Sequence, residues 1–133
     1  MATLPGWKID HDKSLPVNAS EDVTEGQIGK LTAVDTAAVC GAGEMPAGVF
    51  PRTVDISEDG ARTELVRGDV AVCIAAAAIT SLSVPLTTAA TGTVTPCSSD
   101  QQPIVGYPLT LQASVGGYVL VDLAQLGGYY ATT

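Results

Sequence analysis

The 133-residue chain has few charged side chains, few aromatic side chains and no long hydrophobic run. Charged residues make up 15% of it, well below the usual quarter. From residue 70 to residue 133 only Asp100 and Asp122 carry charge. A monomer of this size exposes too much surface to leave half of its chain almost without charge, so we expect this half to be covered by partners. That favours an assembly protein over an enzyme.

Basic side chains are also scarce, with 6 Lys and Arg against 14 Asp and Glu and a formal charge of -8. This balance disfavours binding to nucleic-acid backbones or anionic membranes, both of which need basic patches. No run of apolar residues is long enough to span a bilayer. Residues 1–8 lack the apolar core of a signal peptide, so we expect synthesis and function without secretion.

Residues 10–12, Asp-His-Asp, contain the one histidine of the chain. Adjacent residues of an extended chain point to alternate sides, so this triplet is a poor metal site. The carboxylate clusters at 21–25 and 58–59 lie in turn-like segments, and one Trp and one Phe are too few for a sugar-binding cleft. The sequence therefore predicts no enzyme, no catalytic residue, no metal and no cofactor.

Three cysteines, Cys40, Cys73 and Cys97, form no Cys-x-x-Cys pair and cannot all pair within one chain. One interpretation is that they are small buried hydrophobic residues in a reducing cytosol. The other is a bridge between Cys40 and Cys97, which requires the two halves of the chain to bring them within bonding distance.

Short segments rich in Val, Ile and Thr alternate with Gly, Pro and Asp, which is typical of strands separated by turns. A turn is predicted at residues 57–60, and an exposed antiparallel strand follows it. Residues 75–78, four alanines, fit a helical turn or a bend, and their neighbours favour the bend. The predicted strands are 27–31, 36–39, 48–50, 62–67 and 70–74.

The second half of the chain repeats the first. Residues 23–32 match residues 79–88 at an offset of 56, and Gly48 matches Gly106 at an offset of 58. Each unit reads as strand, turn, strand, loop, Gly-containing strand, turn and strand. The sequence therefore predicts an all-β domain over residues 21–133, a small β-barrel or sandwich built from two related β-units at about 23–68 and 79–123.

Residues 1–20 are predicted to form an extended N-terminal arm. Pro5, Gly6 and Pro16 interrupt any helix or central strand in this segment. Trp7 is the one tryptophan of the chain, and it either folds back over the edge of the core or inserts into a partner as an anchor.

A loose pattern of Gly, Ala and Val runs through six segments: 23–31, Gly48-Val49, Gly68-Asp69-Val70, 75–79, Val105-Gly106-Tyr107 and 117–121. This pattern resembles that of the capsid cement proteins, the small head-decoration proteins of tailed phages. The likeness covers residues 19–123. This chain departs from the pattern at Leu82 and Ser83, where the repeat usually carries Gly, and at residues 97–103, which form a longer and more polar loop.

This resemblance implies a homotrimer on the outer surface of an icosahedral capsid, made in the host cytoplasm and carried on the virion. It would clamp neighbouring subunits of the major capsid protein, with no direct contact to nucleic acid or membrane. Three weak contacts around a threefold axis reinforce one another. The arm would add a strand to a capsid subunit. Its candidate contact residues are Leu4, Pro5, Trp7, Ile9, Leu15 and Val17.

The charge-poor half would then supply the core and the seam between trimer subunits. The candidate seam residues are Val70, Val72, Ile74, Ile79, Leu82, Val84, Leu86 and Tyr107.

A different class of function is a phage tail, fibre or surface β-domain that binds host glycans. Such a domain needs exposed aromatic side chains as platforms for sugars. The candidates are Tyr107, Tyr118, Tyr129 and Tyr130.

Overall fold

Short segments rich in Val, Ile and Thr form ten strands in residues 14–131, the part of the chain that this computed structural model describes. The predicted all-β class is confirmed. No helix in these residues is long and apolar enough to cross a membrane. The strands are β1 Ser14–Ala19, β2 Ile28–Ala33, β3 Thr36–Val39, β4 Gly48–Val49, β5 Arg62–Val66, β6 Val70–Ile74, β7 Leu86–Thr88, β8 Val94–Pro96, β9 Ile104–Pro108 and β10 Tyr118–Asp122. One helical turn, α1 Ile56–Asp59, and two 3-10 turns, Ala90–Gly92 and Leu123–Gln125, complete the elements.

The ten strands form two sheets of five with the same order of pairing. The first closes into a barrel in the order β1-β3-β2-β4-β5, and the second runs β6-β10-β9-β7-β8. In the first sheet β2 pairs with β3 and β4, and β5 pairs with β4 and β1. In the second, β7 pairs with β8 and β9, and β10 pairs with β9 and β6. We call residues 14–66 the first unit and residues 70–122 the second unit.

The register of pairing is repeated as well as the order. Leu15 lies opposite Leu65 in the first unit, and Ala71 lies opposite Val121, each 56 positions later, in the second. The ring closes between β1 and β3 by parallel pairing that includes Ala19 and Ala37. The equivalent closure in the second unit is an isolated parallel bridge between Ala75 and Val94. Both halves therefore have the same barrel plan, and the second is closed at a single point.

Residues 14–19 form β1 of the barrel, so the arm predicted over residues 1–20 is wrong at these positions, and the rest of that prediction, at residues 1–13, lies outside the described residues. Of the residues that predict an arm, Pro16 is the one that lies in β1, and its position tolerates a missing N–H. The Ala19 N–H donates to Ala61 on the β5 side, while the Asn18 N–H donates to Asp35 on the β3 side. Alternation puts the Pro16 nitrogen on the β3 side, where pairing with β3 begins only at Asn18.

Two local predictions have different outcomes. Residues 75–78 bend, as predicted. The turn predicted at 57–60 overlaps the helical turn α1, which begins at Ile56. Asp55 caps α1 by accepting the Ser57 N–H at 3.0 Å, and Gly60 ends it at a φ of 79°. The following strand was predicted to be exposed on one side, but Leu65 and Val66 are both buried. Leu65 packs in the first barrel, whereas Val66 packs in the core shared with the second unit.

Two hydrophobic cores hold the fold together. One lies inside the first unit and contains Val17, Phe50 and Leu65. The other fills the second unit and also includes Ile28 and Val49 of the first unit, so the two units share it. Direct hydrogen bonds reinforce this junction, since the Gly92 N–H donates to the Cys40 carbonyl at 2.8 Å and the Thr88 hydroxyl donates to the Glu44 carbonyl at 2.9 Å.

All three cysteines are buried and free. Cys40 and Cys97 occupy equivalent places in the two units, because each donates its N–H to a carbonyl 12 positions earlier, on Ile28 and Pro85. Both are free thiols, so the bridge between Cys40 and Cys97 does not form in this structure. Burial raises the pKa of Cys73 to about 12, and raises those of Cys40 and Cys97 to about 11, with the Glu44 carboxylate adding to the effect at Cys40.

We expect all three thiols to react slowly with Ellman's reagent at pH 8 in the folded protein. The thiolate is the reacting form, and both burial and the raised pKa values suppress it. In denaturant the full three thiols per chain should react within minutes. A rapid reaction of one thiol in native buffer, with an unchanged circular dichroism spectrum, would contradict the buried placement.

Candidate interaction surfaces

Two of the described carboxylates, Glu44 and Asp22, hold loops together by accepting hydrogen bonds. Glu44 accepts Lys30 Nζ at 2.7 Å and the Gly41 N–H at 2.6 Å, and both contacts lower its pKa. Asp22 accepts the Ile56 N–H at 3.0 Å, and this hydrogen bond joins α1 to the connection between β1 and β2. Within residues 14–131 no group of three or more His, Cys, Asp or Glu residues could hold a metal ion. Residues 10–12 lie outside the described residues.

The candidate seam residues do not share one surface. Val72, Ile79 and Leu86 are buried within the chain, so their side chains cannot contact a second copy while the barrel is intact. This corrects the seam at those three positions, and for Ile79 and Leu86 the reason is that they belong to the core shared by the two units. Leu82 and Tyr107 are exposed. Val70, Ile74 and Val84 are half-buried.

The candidate contact residues of the predicted arm also differ in where they lie. Leu4, Pro5, Trp7 and Ile9 lie outside the described residues. Val17 is fully buried in the first barrel, so it is corrected from a contact residue to a core residue. Leu15 is half-buried and lines an open surface groove between the two units, together with Arg67, Leu123 and Leu126.

The largest feature that sequence reasoning missed is the connection from β9 to β10. We call residues 109–117 the apolar loop. It contains no charged residue, and three of its aliphatic side chains are exposed: Leu109 at 45%, Leu111 at 57% and Val115 at 74%. Exposed aliphatic side chains gathered in one loop mark an interaction surface more strongly than scattered ones.

Hydrogen bonds fix the apolar loop on the barrel. Gln112 and Ile79 exchange backbone hydrogen bonds at 2.7 and 3.0 Å. The Gln112 side chain donates to the Tyr118 carbonyl at 2.9 Å and accepts the Ser114 N–H at 3.0 Å. The Gly116 N–H donates to the Ala75 carbonyl at 2.7 Å. The loop therefore presents its aliphatic side chains from an ordered backbone.

The first unit supplies an internal comparison for this loop. A bridge between Val23 and Val54 occupies the place of the bridge between Ile79 and Gln112, and Gly60 and Gly116 both have a φ near 80°. The framework is shared, but the first-unit connection carries Arg52, Asp55, Glu58 and Asp59. The barrel plan therefore does not require an apolar surface at this position. Aligning the two halves of the sequence at the offset of 56 to 58 shows this difference in charge between the two connections.

The tyrosines predicted as sugar platforms lie on different elements. Tyr107 is in β9 and Tyr118 is in β10, while Tyr129 bridges Pro103 near the end of the described chain. Tyr107 and Tyr129 are exposed, and Tyr118 and Tyr130 are half-buried.

These features define an all-β protein of two related barrel units whose distinguishing surface is an apolar loop. Its fold is similar to a solved structure described as the head fiber gp8.5 N base in bacteriophage phi29, with a TM-score of 0.65 and 18% sequence identity. The similarity covers 86% of this chain and 95% of that chain. No protein-family model and no curated protein sequence matches the chain. At this identity the likeness shows a shared fold.

Proposed function

We propose that this protein is a structural protein of a tailed-phage head that binds the outer surface of the capsid as a cement or decoration protein. The observation that carries the proposal is the fold likeness to a head fibre base, which covers 95% of that chain. The cement-protein pattern read from the sequence supports the same location on the virion. The role needs no catalytic residue and no cofactor.

The distribution of charge supports a division of labour between the units. All basic side chains, and all but two of the acidic ones, lie in residues 1–69. The first unit is therefore suited to face solvent, since its charge keeps the particle surface soluble. The second unit combines the apolar loop with the exposed Leu82 and Tyr107. We assign the contacts with the major capsid protein and with the other subunits of a homotrimer to this second unit.

Avidity explains how modest contacts would secure such a protein. One apolar loop offers a small surface, and a contact of that size alone is weak. A trimer presents three loops together, so the second and third contacts form at high effective concentration. Clamping adjacent capsid subunits in this way would resist their separation under the pressure of packaged DNA.

The test uses the purified protein and heads of the phage whose genome encodes it. We expect light scattering to give the mass of a trimer at micromolar concentration. We also expect the protein to sediment with the heads and cryo-electron microscopy to show its density at threefold positions. A monomer at tens of micromolar together with bare heads would overturn the proposal.

A fibre role is the second candidate, because the structural neighbour is described as the base of a head fibre. The exposed Tyr107 and Tyr129 are the side chains that would then contact host glycans. Binding of the isolated protein to a glycan array, lost in the Tyr129→Ala variant, would favour this role over cementing.

A further inference from the structure

The two units meet through two different surfaces, and because the units share one plan, each surface has an equivalent in the other unit. One surface is the hairpin formed by β7 and β8 of the second unit. Its Gly92 N–H donates to the Cys40 carbonyl at 2.8 Å, and its Thr88 hydroxyl donates to the Glu44 carbonyl at 2.9 Å. The other surface is the part of the first unit that carries these two carbonyl groups. We call it the docking face of the first unit.

The second unit has its own docking face at the equivalent position. Gln102 lies where Glu44 lies in the first unit, because both side chains close the same loop. Glu44 Oε1 accepts the Gly41 N–H at 2.6 Å, and Gln102 Oε1 accepts the Ser98 N–H at 2.7 Å. The hairpin of a further unit would meet this face as the hairpin of β7 and β8 meets the first.

The segment after β10 covers this second docking face. We call residues 126–131 the cap. Four backbone hydrogen bonds attach it: Tyr130 N–H to the Gln102 carbonyl at 2.8 Å, Gln101 N–H to the Tyr130 carbonyl at 2.8 Å, Ile104 N–H to the Gly128 carbonyl at 2.7 Å and Gly127 N–H to the Ile104 carbonyl at 2.9 Å. The Gln102 carbonyl, the equivalent of the one that Thr88 reaches on Glu44, is therefore already occupied by the chain's own cap.

The first unit carries an exposed equivalent of the docking hairpin. In the hairpin of β2 and β3, Leu31 corresponds to Thr88 and Asp35 to Gly92, since the strand pairing and the positive φ values of 66° and 73° repeat. Leu31 is 45% exposed and Val34 is 92% exposed. If this hairpin docked on the second docking face of another copy, its Leu31 would have to lie where Tyr130 of the cap lies.

We propose that the cap prevents copies of this protein from joining head to tail, with the first-unit hairpin of one copy on the second docking face of the next. A contact between two different surfaces leaves one of each free, so it continues into rings or open filaments unless something stops it. Arrays of related units accordingly need a capped terminal unit to remain soluble.

Tethering lets a short cap exclude a whole second copy. A segment joined to its own docking face is present at millimolar effective concentration, well above that of a free protein in dilute solution. The cap also uses backbone hydrogen bonds, which the apolar tip of the first-unit hairpin does not offer through Leu31 and Val34. Capping is a property of the isolated protein, and it stands apart from the proposed head binding.

Proline substitutions release the cap in the full-length chain. In the double variant Gly127→Pro with Tyr130→Pro, each proline removes an N–H that binds the docking face, and Gly127 has a φ of 88°, which proline does not adopt. We expect light scattering to show a mass that rises with protein concentration to about twice the wild-type value or more, because the released face now takes free copies. The wild-type mass should stay constant over the same range.

Two further variants show whether the growth is head to tail. Adding Leu31→Asp and Val34→Asp to the released chain changes the incoming hairpin, and the mass should return to the wild-type value. Tyr129→Pro is the matched control within the cap, since the Tyr129 N–H makes none of the four hydrogen bonds that attach it. This control should keep the wild-type mass.

A released variant that keeps the wild-type mass, with a circular dichroism spectrum of folded barrels, would overturn the proposal. Growth that persists after Leu31→Asp and Val34→Asp are added would also overturn it, because the copies would then associate through another surface. If the double proline variant unfolds, Tyr130→Pro alone removes one hydrogen bond and gives the same comparison at higher protein concentration. No phage particle enters these experiments, so a negative result here leaves the proposed head binding to its own test.

Discussion

Gly106→Ala is expected to destabilise the protein by about 3 kcal/mol, the upper end of the usual cost of overpacking a well-ordered site. A Cβ atom at Gly106 would collide with the backbone carbonyl of Asp122 and lie 2.8 Å from Val121 Cγ1. Asp122 pairs with Tyr107 and Val70 on its two sides, so its backbone cannot move aside without breaking the sheet. Glycine is needed here because the backbone of β10 approaches Gly106 of β9 too closely to leave room for a Cβ atom.

The equivalent glycine in the first unit should behave alike. A Cβ atom at Gly48 would lie 2.7 Å from the Val66 carbonyl oxygen and 2.8 Å from Leu65 Cβ. Val66 is the first-unit equivalent of Asp122, so one packing constraint is repeated with the fold. We expect a similar loss of stability in Gly48→Ala.

Urea unfolding followed by circular dichroism measures both effects. Gly128→Ala is the control, because its added Cβ atom would approach nothing nearer than the Gln125 carbonyl oxygen at 3.3 Å. It should change the free energy of unfolding by less than about 1 kcal/mol. Equal stabilities for Gly106→Ala and Gly128→Ala would show that the strands are less closely packed than the structure describes.

The sequence predicts most strands because the signals that define them are local. Apolar β-branched residues mark β2, β3, β5 and β6, and turn residues at a repeated spacing mark the duplication. β1 escapes such reasoning because Pro16 is a strong local signal against a central strand. Its place depends on where the pairing with β3 begins, 18 residues away in the chain at Asn18 and Thr36.

The predicted trimer seam shows a second limit of prediction from sequence. A run such as Val70–Ile74 indicates burial, but the sequence does not say whether the covering surface is a partner or the other half of the same chain. Here the neighbouring unit covers it, since the Gly26 position lies against Ile74 and the Val72 carbonyl. The second half of the chain is thus poor in charge for two reasons: part of it forms an internal interface, and part of it forms the exposed apolar loop. Leu111 and Val115 are exposed, and this exposure distinguishes the apolar loop from the residues that the internal interface buries.

The open groove lined by Ser14, Leu15, Arg67, Gly68, Leu123, Ala124 and Leu126 cannot be predicted from the sequence. Its residues come from the beginning, the middle and the end of the described chain. Arg67 reads as one charge in a solvated link until the fold sets it beside Leu15 and Leu126. A groove is a property of surfaces brought together over long distances, and no local pattern encodes it.

The double variant Leu111→Asp with Val115→Asp is expected to weaken binding to phage heads about 100-fold or more. A charge placed in the centre of an apolar contact must be desolvated without a partner, and two hot-spot side chains are lost with it. Both side chains are more than half exposed in the isolated chain, so the free energy of unfolding should change little. Sedimentation with heads over a range of protein concentrations measures the change.

The first unit offers a matched control with the same two residue types. Leu31 is 45% exposed and Val34 is 92% exposed on the hairpin of β2 and β3, so Leu31→Asp with Val34→Asp adds equal charge to the other unit. If the second unit forms the contact, this control binds heads like the wild type. Loss of binding in the control, with retention in the apolar-loop variant, would move the contact to the first unit. Full binding by both would mean that neither exposed aliphatic pair touches the capsid, and the assignment of the apolar loop would fall.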